Sequence, residues 1–184
     1  MAVNPAAVLR VARVVLGTGL AYVVLFLVNE HLLAFTHFSQ GVNWVYLPSG
    51  LRLTLVLLFG WPAALGIAWS SALVSMWPTG LERWAQPLVT GLISGFTPWL
   101  MLLASSRWLN LQDDLAGLRA SSLLVLALLF ALSSAGVHQL WFEWNETSQD
   151  RGLQFVVMAA GDLAGSLIVL YACKWGLKAI THPS

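Results

Sequence analysis

Residues 42–62 read Val42-Asn-Trp-Val-Tyr-Leu-Pro-Ser-Gly-Leu-Arg-Leu-Thr-Leu-Val-Leu-Leu-Phe-Gly60-Trp-Pro62. The stretch is long and apolar enough to read as a membrane span. It nevertheless carries Pro48 and Gly50 in one half and a charge, Arg52, near its middle. An arginine in hydrocarbon is costly and is kept only with a partner or a wet cavity. That partner must come from elsewhere in the chain.

The surrounding composition supports the membrane reading. Of 184 residues, 58% are hydrophobic and 9% are charged, with a mean hydropathy of +0.76. A soluble domain usually carries roughly 25% charge, and it could not hide this much apolar surface from water. The composition predicts an all-α, polytopic integral membrane protein: one domain, residues 1–184, with a bundle of about six transmembrane helices in a lipid bilayer. A net charge of +1 gives no basic field for nucleic acid. The one cysteine, Cys173, excludes an internal disulfide and a thiolate metal cluster. Many of the ten tryptophans, including Trp61, Trp77, Trp84, Trp144 and Trp175, fall at predicted span ends, where an indole suits the headgroup layer.

Taken in order, the spans are expected at about 14–28 (extending to Phe35 past an interruption at Asn29-Glu30-His31), 42–60, 63–77, 88–104, 121–142 and 153–175. Thr36 to Gly41 reads as a polar connector. Gly60-Trp-Pro62 reads as a tight turn, because Gly suits the end of one helix and Pro the first turn of the next. Pro78 to Pro87 reads as a loop. Residues 105–120 fit either an interfacial helix or a solvated loop, and Asn145-Glu-Thr147 is a chance-level sequon. Placing the N-terminus inside puts Arg10, Arg13, Arg107, Arg119, Lys174 and Lys178 on the inner side and only Arg83 and Arg151 outside. That bias predicts both termini on the cytoplasmic side. Only nine residues follow Trp175, so any output is expected to pass through a membrane or cytoplasmic partner protein.

Two ionisable groups fall deep within predicted spans, Arg52 and Asp162. Helical rise puts Arg52 about 12 Å and Asp162 about 20 Å from the inner ends of their spans, close enough to meet given ordinary tilt. The pairing has two readings. It either sets helix packing alone, or Arg52 faces a cavity and binds an anionic group of a small-molecule ligand with Asp162 tuning it. Gly161 and Gly165 flank Asp162 in a small-xxx-small spacing, as do Gly91 and Gly95 in an earlier span, and such spacings let backbones approach. Nearer the outer face, Glu30 and His138 are expected at similar depth and suited to pair. Pro48 and Gly50 are expected to break the span on its outer half, lining protein or a wet cavity. Trp44 and Tyr46 would supply an aromatic wall. No catalytic motif is present, so no enzyme, cofactor or metal site is expected.

The segment from Trp44 through Pro48-Ser-Gly50-Leu to Gly60-Trp-Pro62 resembles the opening motif of bacterial membrane-associated sensor domains of the first MASE class. In that family a Trp precedes a P-x-G segment, an apolar helix ends in Gly, and a Pro/Gly-rich helix follows. Gly161-Asp-Leu-Ala-Gly165-Ser resembles the family's later G-D-x-x-G segment. The resemblance implies a multi-pass sensory domain for signal transduction in the bacterial inner (cytoplasmic) membrane. This chain departs from the pattern in placing Arg52 where the family more often has a small or apolar residue, and as a short sequence it is expected to carry no output domain of its own. The expected function is a sensor-like or ligand-binding membrane module acting through a partner. The alternatives are a substrate-binding or carrier subunit, similar in size to those of energy-coupling-factor transporters, and a structural subunit of a membrane complex.

Overall fold

The computed structural model describes residues 4–39, 41–79, 81–106, 120–145 and 150–181. Six helices account for most of them: α1 (Pro5–Leu32), α2 (Leu47–Phe59), α3 (Trp61–Thr79), α4 (Ala85–Ser106), α5 (Ala120–Trp144) and α6 (Arg151–Thr181). Between α1 and α2 lies a two-stranded antiparallel ribbon of β1 (His37–Ser39) and β2 (Val42–Asn43), turned by Gly41 at a φ of 76°. Residues 107–119, the site of the expected interfacial helix, lie outside the described residues, as does most of the sequon.

Four helices, α1, α4, α5 and α6, are long and apolar enough to cross a membrane. The 13-residue α2 is apolar but short, about 20 Å at helical rise against a hydrocarbon core of about 30 Å. The outward faces are what hydrocarbon requires. Leu16, Leu20, Val24 and Leu27 on α1 and Leu124, Leu128 and Leu132 on α5 are exposed at spacings of about four residues. The interior holds polar groups beside its apolar clusters, among them Asn29, Ser70, Ser94, Ser134 and Gln154. The apolar exterior inverts the order of a soluble protein.

Helix ends follow the punctuation in the sequence. Gly60 ends α2 at a φ of 62°, its N–H donating to Val56 O at 2.9 Å, and Pro62 sits in the first turn of α3. Where helices cross tightly, small residues meet. A Cβ on Gly91 or Gly95 would strike the carbonyls of Ala68 and Ala64, which is how α4 closes on α3.

The structure corrects three local expectations. Asn29-Glu30-His31 does not interrupt the first span, because α1 continues to Leu32. The connector after it folds into the ribbon. Pro48 and Gly50 do not break a helix. Pro48 lies in the first turn of α2, where a proline's missing N–H costs nothing. The irregular backbone is the preceding segment, 44–46, which hydrogen-bonds to other parts of the protein. Trp44 N donates to Thr36 O at 2.9 Å, Tyr46 N to Gly161 O at 3.2 Å and Leu47 N to Asn29 Oδ1 at 2.9 Å. Non-helical backbone within a membrane bundle requires such partners.

Candidate functional site

The site is built where α2 meets α6. Gly50, Gly161 and Gly165 bring the two backbones into direct contact. A Cβ on Gly161 would strike Asn43 O, one on Gly165 would strike Tyr46 O, and one on Gly50 would strike Gly165 O. Ser49 Oγ closes the same contact by donating to Asp162 O at 2.8 Å or Tyr46 O at 2.7 Å. The Trp44-to-Arg52 stretch and the Gly161-to-Ser166 stretch therefore form one unit, although more than a hundred residues separate them in sequence.

Within that unit the expected ion pair is present. Arg52 Nη2 lies 3.3 Å and 3.4 Å from the two carboxylate oxygens of Asp162, and each residue is 1% exposed. The guanidinium carbon sits 5.6 Å from the centre of the Tyr46 ring and 5.4 Å from that of Phe130, so aromatic faces add cation–π attraction to the carboxylate. Arg52 Nε is buried without a hydrogen-bond partner. An unmet charged donor in low dielectric is costly.

Arg52 also forms part of the wall of a cavity of about 330 Å³. All six helices contribute to that wall. The lining residues come from the C-terminal halves of α1, α3 and α5 and the N-terminal halves of α2, α4 and α6, so the cavity occupies one half of an alternating bundle. Exposed Glu30, His37 and Gly41 line it at the ribbon end, which marks the mouth. Buried Tyr22, Arg52, Ser71, Ser94 and His138 line its deep end. Phe26, Tyr46 and Phe142 give it aromatic sides.

The deep end is wired by hydroxyl groups. Tyr22 Oη lies 3.0 Å from Tyr46 Oη and donates to Ser71 Oγ at 3.4 Å. His138 Nδ1 is 2.8 Å from Ser134 O, a carbonyl that only accepts. Nδ1 therefore carries the proton, and in the neutral ring Nε2 accepts from Ser94 Oγ at 3.2 Å. Pro98 lies within α4 and has no N–H for the carbonyl of Ser94, four residues earlier.

The structure brings together Glu30, Tyr46, Arg52 and His138 on one cavity wall. It places Asp162 behind Arg52, away from the cavity. It corrects three further expectations. Trp44 is no part of the wall; it is exposed and packs edge-on against Phe38 at 6.3 Å. Glu30 and His138 do not pair, since Glu30 sits at the mouth while His138 is held deep by two serines. Gly50 serves the α2–α6 contact, and neither it nor Pro48 is among the residues that line the cavity. The sequence reading passed over Tyr22, Ser71, Ser94 and Gln86. A signal for three of them exists: Tyr22, Phe26 and Glu30, and likewise Gln86, Thr90 and Ser94, recur every four residues and so share a helix face. Among the described residues no cluster of three or more potential metal ligands occurs.

No family model, no curated protein and no solved structure matches this chain.

Proposed function

We propose that this protein is a receptor module of a bacterial inner membrane, binding a small polar molecule from the outer side and passing its state to a partner protein. In this reading all six helices cross the bilayer, both termini are cytoplasmic, and the ribbon and cavity mouth face outward. The supporting observation is the cavity. It is of ligand size, it is reached from the ribbon end, and its deep wall carries a buried arginine. Such a group within a membrane bundle points to function. The route outward from the site is physical: Arg52 is tied to Asp162, so an occupant that draws on Arg52 acts on α6. A change of state follows only if the occupant binds two arrangements of that contact differently.

The test uses the full chain in lipid nanodiscs with a library of small polar metabolites. At least one compound is expected to raise the unfolding temperature by several degrees, as saturating binding to the native state does. Thr90→Trp, which fills the cavity, should remove the shift. The double variant Arg52→Leu/Asp162→Asn should fold but no longer respond. A response like that of the unaltered protein would overturn the mechanism. Accumulation of the same compound by proteoliposomes holding this chain alone would instead establish a carrier.

A further inference from the structure

The charges around the cavity restrict what can occupy it. Arg52 faces the cavity and Asp162 stands behind it at 3.3 Å, so the deep wall presents the positive end of a neutral pair. The only other formal charge on the described wall is Glu30, at the mouth. His138 is satisfied on both ring nitrogens in its neutral form, His37 is exposed at the mouth, and Tyr22 and Tyr46 share a hydroxyl contact.

An anion entering this space would place a second negative charge beside an already neutralised guanidinium in low dielectric, after passing Glu30. A cation would meet the guanidinium edge. An uncharged molecule with a strong acceptor adds no net charge and can still accept a hydrogen bond from the arginine on the wall. Ser71 and Thr90 offer hydrogen bonds for a polar edge, and Tyr22, Phe26, Tyr46 and Phe142 offer faces for a flat body.

We infer that the cavity takes an uncharged, ring-bearing organic molecule whose carbonyl-type oxygen is presented to Arg52. This inference rests on reading the cavity as a ligand site. The charge class is set by the Asp162 carboxylate, which has already neutralised the arginine that would otherwise select anions.

Three probes with one ring and different charge test it: benzamide, benzoate and benzylamine. Binding to the full chain in nanodiscs is followed by saturation-transfer NMR, with Thr90→Trp reporting partition into lipid. Benzamide should bind at least about 10-fold more tightly than either charged probe, and Thr90→Trp should abolish its signal. Asp162→Asn leaves the guanidinium uncompensated and should reverse the order, so that benzoate binds best. If benzoate or benzylamine binds the unaltered protein as tightly as benzamide, in a manner that Thr90→Trp abolishes, the charge class is wrong while the cavity reading stands. If no probe gives a signal sensitive to Thr90→Trp, both fall. The comparison in the unaltered protein stands alone should Asp162→Asn fail to fold.

Discussion

Two residues, Arg52 and Asp162, illustrate how burial converts a weak interaction into a strong constraint. Leaving either charge alone in the interior costs about 3–5 kcal/mol, whereas replacing both by neutral groups of similar size is near neutral. Arg52→Leu alone should therefore destabilise the protein by an amount of that order, and Arg52→Leu/Asp162→Asn should recover most of it. Reversible unfolding in nanodiscs measures both, and additivity of the two single losses would rule out a coupled pair. The pair was legible in the sequence because charges within apolar runs are rare, and two of opposite sign at compatible depth point to each other. The unmet Nε was not legible, since it depends on the angle at which Asp162 approaches. Glycines separate just as sharply. Gly165→Ala would drive a methyl group into Tyr46 O, a backbone atom that cannot yield, and should cost about 1–3 kcal/mol. Gly17 has nothing within 4 Å of a Cβ, so Gly17→Ala should be neutral or stabilising. Equal effects in the same unfolding assay would refute the close contact.

At the level of the element, α2 is short because the chain enters it late. Residues 42–46 run extended against α6, and the helix begins only where Asn29 accepts the Leu47 N–H. Asn29→Leu removes that acceptor and leaves a buried donor unmet, at a cost of about 1–3 kcal/mol. Asn29→Asp keeps an oxygen in place and should retain more stability than Asn29→Leu; a ranking in the opposite order would show that Asn29 acts through volume. Helix ends marked by Gly60 and Pro62 were readable because those residues restrict the backbone itself, whereas the loop expected over Pro78 to Pro87 is shorter, since α3 continues to Thr79 and α4 begins at Ala85. The extended entry to α2 was not readable, because Asn29 supplies its partner from a different helix and nothing local announces it. Asn29 read as a polar interruption of its own span, whereas its side chain satisfies the next element.

The whole molecule is apolar outside and mixed within, with buried polar groups set among apolar clusters. The apolar exterior was legible from composition alone. The cavity was not, because its wall is assembled from all six helices, and the polar faces on α1 and α4 do not say in the sequence that they converge on one space. The proposed orientation predicts a labelling pattern. In a Cys173→Ser background, His37→Cys should react with a membrane-impermeant maleimide applied to spheroplasts, and Arg10→Cys only after lysis. The reverse pattern would place the cavity mouth on the cytoplasmic side and overturn the proposed direction of signalling. Across the α5–α6 connection, the exposed Arg151–Glu143 contact at 2.7 Å carries little stability, as solvated pairs do. Glu143→Gln should leave the unfolding midpoint almost unchanged.

The direct seating of residues 43–50 on Gly161 and Gly165 also bears on how this sequence is free to drift. At that seam selection acts on size, because a single methyl group is already too much. At Arg52 and Asp162 it acts on charge, and on both partners jointly. A saturation library scored for folding should accordingly show depletion of every side chain larger than hydrogen at positions 161 and 165, and tolerance at 52 and 162 only for changes made together. The two segments then behave as one hereditary unit, in which innovation at the cavity must come from the walls and not from the seam.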